Sequence, residues 1–211
     1  MYLPKHFEEA RIDVLHALIR ARPLATLVTM SATGITANHL PLHLSPGQGE
    51  LGCLQGHVAR SNPVWQDFVP AVEALAIFHG PEGYISPSWY PTKQQHGKVV
   101  PTWNYAVVHV TGVLRVIDDP AWLRKQLEAI TTQSEAVLPH PWAVADAPPE
   151  YVERLAAGIV GIELAITKIS GKWKMSQNQP TENQAGVIAA LGQRGDTELA
   201  AVVEKSTRTS D

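Results

Sequence analysis

Apolar positions along the chain follow two rhythms. Phe7, Ala10, Val14, Leu15, Leu18 and Ile19 recur at helical spacing with Glu8, Glu9, Arg11 and Arg20 between them, which predicts an amphipathic helix over about 7–22, closed by Pro23. From Leu24 the β-branched residues crowd together. LATLVTMS (24–31) and ITANHLPLHL (35–44) predict two strands joined at Gly34, with Pro41 marking an edge or a bulge. LGCLQGH (51–57) predicts a third. Ser61 or Asn62 then caps a short helix whose first turn takes Pro63, with Trp65 and Phe68 turned inward. Further strands are predicted over 73–80, over 103–116 with a bend near Gly112, and over 159–170. Helices are predicted after Pro120, carrying Trp122, Leu123, Leu127 and Ile130, and again over 149–157. PTENQAGVIAALGQRG, with Thr181 and Gln184 as a capping box, and TELAAVVEK predict two terminal helices. Strands joined by short glycine turns rather than by helical crossovers indicate an α+β chain with an antiparallel barrel or sheet.

The stretch Pro81–Tyr105 breaks both rhythms. It holds five of the fourteen aromatic residues and four of the sixteen prolines. Each proline removes a backbone donor and restricts its predecessor, so a long, partly extended loop is expected. So many Trp and Tyr rings in one loop indicate order and a wall against which a planar, partly polar group packs. An aromatic core loop or a dimer contact fits the same residues equally well.

Composition adds boundaries. The 211 residues suit one domain, 1–211, with a helical extension from about residue 180. A formal charge of −3 and the lack of a Lys/Arg stripe give no support for a nucleic-acid footprint. The single cysteine, Cys53, excludes an internal disulfide and any CxxC metal site and fits a reducing interior. MYLPKHFEEAR leads straight into a charged amphipathic segment, and no uncharged apolar run reaches membrane-spanning length. A cytoplasmic protein is the expectation.

The sharpest chemical signal is GHVARSNP, Gly56–Pro63. A strand becomes a helix there, so free backbone N–H groups, the Arg60 guanidinium and the Ser61 hydroxyl would face one point, a combination that grips phosphate. Gly56 would let a ligand approach the backbone closely. A helix cap beside an exposed arginine fits the same residues. His39 and His43 share a strand face, yet hydrogen-bonded or exposed histidines outweigh a metal site, and none is assigned. No GxSxG elbow or Walker loop occurs. Lys172, Lys174, Ser176, Gln177 and Asn178 could bond a ligand's polar edge, although a solvated turn explains them as well.

With MYLPKHF, NHLPLHL, GHVARSNPVW, FHGPEGYISPSWY, VPTWNYAVVHVTG and GKWKMSQNQ in order, the chain resembles the FMN-binding negative transcriptional regulators, the PaiB-type proteins of the split-barrel flavin-binding superfamily. The resemblance implies an antiparallel split β-barrel with flanking and C-terminal helices, usually a homodimer with FMN between subunits. It places the FMN phosphate at Arg60, Ser61 and Asn62, with His57 in the same block. Thr26, Val28, Asn38, His39 and Leu40 would lie along the ribityl chain and ring, and Trp103, Asn104, Lys172, Gln177 and Asn178 would close the pocket. Two functions follow from it: a flavin-binding regulator that senses redox state or a metabolite, or a flavin-dependent oxidoreductase acting on a small molecule.

Overall fold

A computed structural model describes residues 1–208. The elements in chain order are β1 (Glu8–Glu9), α1 (Ile12–Ala21), β2 (Leu24–Ser31), β3 (Gly34–Pro41), β4 (His43–Ser45), β5 (Cys53–Ala59), α2 (Val64–Asp67), β6 (Ala74–Ile85), α3 (Thr92–His96), β7 (Thr102–Ile117), α4 (Pro120–Glu135), α5 (Pro149–Ala156), β8 (Ile159–Lys174), α6 (Thr181–Gln193) and α7 (Thr197–Arg208). The strands form one eight-stranded sheet in the order β3-β2-β6-β7-β8-β5-β4, with β1 on β8. The chain divides into two compact units. A barrel unit comprises residues 12–78 and 109–169; a terminal unit comprises 1–11, 79–108 and the described residues from 170 on. Strands β6, β7 and β8 contribute residues to both.

In the barrel unit the period of two decides which side chains are buried. Ala25, Leu27 and Thr29 are buried, whereas Thr26 and Val28 between them are half-exposed. β2 pairs antiparallel with β3 from Leu24↔Pro41 to Ser31↔Gly34, so Pro41 sits at the end of the ladder where its missing donor is tolerated. Gly34, at φ +122°, closes this hairpin in a conformation that favours glycine. β5 pairs with β8 from Cys53↔Ala165 to Ala59↔Ile159. Leu27, Leu42, Leu44, Leu54, Phe78, Ile162 and Leu164 fill the interior. Helix α4 begins on Asp119, whose carboxylate accepts from Ala121 N (2.8 Å) and Trp122 N (3.3 Å), with Pro120 in the first turn. It lies across the β4-β5-β8 face because Gly161 leaves room for Trp122: a Cβ there would come within 2.5 Å of the indole.

In the terminal unit the expected aromatic loop is ordered but contains more regular structure than its prolines suggest. Strand β6 runs on through Pro81 to Ile85; a single 3-10 turn at Pro87–Trp89 and the short α3 then precede β7. The strand tolerates Pro81 because only its lost donor has to be accommodated. The C-terminal helices belong to this unit and pack on that stretch. A Cβ on Gly186 of α6 would fall 2.1 Å from the Trp89 carbonyl oxygen, and one on Gly83 would fall 2.7 Å from Leu199 of α7. The Thr92 hydroxyl donates to Asn183 Oδ1 of α6 at 3.0 Å.

Three local expectations change. The first helix begins at Ile12, because Glu8 and Glu9 instead pair with Lys172 and Gly171 on β8, which extends four residues past Ser170. The capping box at Thr181 does not form: Pro180 occupies the cap, and Gln184 donates to the Gln179 carbonyl at 2.8 Å. Gly56 does not open the backbone to a ligand. It is buried, and a Cβ there would meet Leu42 at 2.8 Å and the Pro41 carbonyl at 3.0 Å, so it serves strand packing.

Candidate functional sites

A strand gives way to a helix at this corner of the barrel unit, but Pro63 rather than Ser61 or Asn62 is the cap residue, and the Arg60 donors already have partners. The Arg60 side chain donates through Nε to the Ala157 carbonyl (3.0 Å) and through its terminal nitrogens to both oxygens of Asp118. The pairing holds the Asp118 carboxyl below the ordinary carboxylate range and raises the guanidinium pKa. Arg60 N donates to Gly158 O and Asn62 N to Ala59 O, and α2 is one four-residue turn, so no row of free N–H groups awaits an anion. The pair is nonetheless exposed, with Arg60 and Asp118 side chains 38% and 53% accessible, and exposed pairs are weak enough to exchange partners. Asn62 ties the corner to β3: its Nδ2 donates to Asn38 Oδ1 at 2.8 Å. Asn38 Nδ2 is then buried without an acceptor.

Strand alternation sorts the other predicted residues of this unit. Thr26 and His39 are register partners on the outward face, hydrogen-bonded at 3.1 Å, and Val28 lies two residues along on that face. Asn38 and Leu40 pair with Leu27 and Ala25 on the opposite face, and Leu40 is core. Asn38, His39 and Leu40 therefore do not point together at one ligand. His57 faces α4, where its Nδ1 is 2.8 Å from Gln126 Oε1. His43 is bonded to Gln133 in the same way at 2.9 Å. Cys53 is buried beside Glu163, and burial pushes its thiol pKa up to about 12, so it is no ready nucleophile.

The terminal unit brings a second group together. Asn104 is fully buried and exchanges hydrogen bonds with the Ser176 hydroxyl, 2.9 and 3.2 Å. Both line a cavity of about 160 Å³ with Tyr90, Thr102, Lys174 and Asn178. Lys174 donates to Thr102 and to the Trp103 carbonyl, neutral acceptors that leave its charge uncompensated. Burial first, and Lys172 second, hold its pKa below the ordinary lysine value. The Tyr90 hydroxyl is buried without a partner. Ser176 is the one non-glycine residue with positive φ, +64°, among the described residues, a strained conformation that a neighbouring framework has to hold. Of the predicted residues, Asn104 and Asn178 thus line the cavity. Lys172 is committed elsewhere, donating to Tyr2 O at 3.2 Å beneath the Tyr2 and Tyr105 rings, and Gln177 folds back on Met175 N and Trp173 O. Trp103 is exposed, edge-on to Tyr84. Sequence reasoning left Tyr90 out, since nothing in the aromatic stretch singles out which ring is buried with an idle hydroxyl.

A family model described as "Putative FMN-binding domain" matches residues 1–168. The chain belongs to this family. Its relatives include the Bacillus subtilis protease synthase and sporulation protein PAI 2, 30% identical over 90% of this chain and 89% of that one. An Emericella nidulans protein, uncharacterized protein AN0679, is 36% identical over 92% of both chains. Two solved structures are similar in fold. The conserved hypothetical protein Rv2991 of Mycobacterium tuberculosis aligns with a TM-score of 0.58 at 9% identity, covering 85% of this chain and 94% of that one. The FAD and heme binding protein of Mycobacterium smegmatis aligns with a TM-score of 0.56 at 17% identity, covering 79% and 73%. The fold of this FMN-binding family member is the split barrel. No helix among its described residues is long and apolar enough to cross a membrane.

Proposed function

We propose that this FMN-binding family member is a flavin-binding regulatory protein, a sensor of redox state or of a metabolite, that holds the FMN phosphate at the Arg60–Ser61 corner. The observation that supports the corner is a pair of exposed donors: the Arg60 guanidinium, whose terminal nitrogens are held by the exchangeable Asp118 carboxylate, and the Ser61 hydroxyl. Such donors suit a group made of phosphate and hydroxyl oxygens. The phosphate dianion would displace Asp118 from Arg60 and take over its bidentate bonds. Flavin supplies redox chemistry when bound; the chain's own residues bind and orient it. On this reading Thr26, Val28 and His39 offer the outward strand face to the rest of the molecule. The regulatory role draws on PAI 2, whose name couples it to protease synthesis and sporulation.

A second anchor has one observation in its favour. Lys174 carries a charge that no carboxylate offsets, in a cavity with Asn104, Ser176 and Asn178. FMN titrations of Arg60→Ala and Lys174→Met decide between them: the anchor's loss weakens binding by about 10- to 100-fold, as expected for charge-assisted bonds, and the other variant binds as wild type. The oxidoreductase alternative is tested on the same preparations. Turnover of bound flavin with NADH, NADPH or oxygen at enzymatic rates would replace the sensor reading, whereas a salt-dependent shift of specific promoter DNA would support it.

A further inference from the structure

Helix α5 is amphipathic, with Tyr151, Val152, Leu155 and Ala156 at adjoining positions on one side, yet none of its residues is buried. An apolar helix face normally exists to be covered. Beneath it lies a cavity of about 280 Å³ within the barrel unit, walled by those four residues with Leu127 and Val144, and with Trp142 and Tyr151 at its rim still 47% and 45% exposed. The polar groups of this wall include the Thr131 and Tyr151 hydroxyls and the His57 ring, of which the ring is the one tied to a buried amide. Its Nδ1 is fixed at 2.8 Å by Gln126 Oε1, and Gln126 is not part of the wall, so the ring edge bearing Nε2 is the one left for the cavity. Gln126 is itself 98% buried and its Nε2 has no partner, so this hydrogen-bonded pair is incomplete in the free protein.

We propose that this cavity is a binding site for a small aromatic alcohol, one or two rings with a hydroxyl directed at His57 Nε2. Size sets the ring count: an apolar protein cavity of roughly 150 Å³ takes benzene, so nearly twice that volume takes two fused rings or one ring with a short tail. The lining sets the class, since aliphatic and aromatic walls with a few polar groups, here His57, Thr131 and the Tyr151 phenol, mark a small-molecule site. A hydroxyl suits His57 in particular. It donates to Nε2 in one imidazole tautomer and accepts from it in the other, so either orientation of the Gln126 amide is served. The proposal goes beyond the flavin reading and assigns His57 to this cavity rather than to FMN.

The test uses the full chain saturated with FMN and the probes 2-naphthol and naphthalene, followed by thermal denaturation, tryptophan fluorescence and the visible flavin spectrum. Expected are a saturable rise in Tm with 2-naphthol, about tenfold weaker binding of naphthalene, and an unchanged flavin spectrum. Ala156→Phe, which fills the cavity from α5, abolishes the rise while retaining flavin. His57→Phe keeps binding but makes the two probes equivalent. The proposal is overturned by no saturable binding, by an equal Tm rise in Ala156→Phe, or by a hydroxyl preference that survives in His57→Phe. Release of FMN by 2-naphthol would also overturn it, because the cavity would then belong to the flavin. Loss of FMN binding at Arg60→Ala alone leaves these outcomes intact, so the two readings fail separately.

Discussion

Ser176 concentrates the physics of the terminal unit in one residue. Its φ of +64° is a conformation that costs an L-residue about 1–2 kcal/mol and glycine nothing, while its hydroxyl is the partner of the fully buried Asn104 amide. The two effects separate by substitution. Ser176→Ala keeps the strain and orphans Asn104, costing about 1–3 kcal/mol in urea denaturation. Ser176→Gly orphans Asn104 but relieves the strain, so it is expected to be less destabilising than the alanine variant by about 1 kcal/mol. The reverse order would show that strain at this position is not what the hydrogen bond offsets. The sequence draws attention to the SQN segment because polar residues follow a strand. It does not reveal that Gln177 serves its own loop while Ser176 and Asn178 face a cavity, because backbone handedness at a serine leaves no trace in residue type.

At the scale of elements, glycines mark where one piece of the chain lies hard against another. Gly186 lets α6 rest on the Trp89 carbonyl, and a methyl group 2.1 Å from that oxygen has to move helix or turn. Gly186→Ala therefore costs about 1–3 kcal/mol despite alanine's better helix propensity, whereas Gly192→Ala, with nothing near its Cβ, is neutral or stabilising by up to about 1 kcal/mol. Urea midpoints of the two variants check the contrast. The hairpin of β2 and β3, the long β7 and the helices after Pro120 and Pro149 are legible because period, turn glycine and N-terminal proline agree. The start of α1 is less legible. Its amphipathic rhythm extends back to Phe7, but hydrogen bonding to β8 takes Glu8 and Glu9 into a strand, a tertiary pairing that local spacing does not encode. Arg60 is similar: the sequence marks a strand-to-helix change there and gives no sign that Asp118, fifty-eight residues away, occupies its guanidinium.

For the whole molecule, acid stability follows from side-chain placement, and one exposed apolar face gives assembly a test. His16 is buried with Nε2 at 3.1 Å from the Leu51 carbonyl, and burial holds its pKa below the ordinary 6.5. The unfolded chain takes up a proton that the folded one resists. Stability is therefore expected to fall as pH drops below about 6.5 and to keep falling until folded His16 itself protonates, and His16→Gln should flatten that part of the pH–stability curve. The outward face of the barrel unit carries Val28, Leu75 and Ile77 between exposed Leu24, Met30 and Ile35. A second copy of the chain, as the family resemblance implies, would cover it. Light scattering should give twice the 23.0 kDa chain mass for wild type and a lower mass for Ile35→Glu.

On the proposed reading, Arg60 is an FMN phosphate anchor held in reserve by Asp118. Quenching of FMN fluorescence on titration with wild type, Arg60→Ala and Asp118→Asn decides whether it is. The expected result is saturable binding by wild type, weakened about 10- to 100-fold in Arg60→Ala and tightened in Asp118→Asn, where the competing charge is gone. Unchanged affinity in both variants would rule this anchor out, because it would mean that the phosphate never meets this corner.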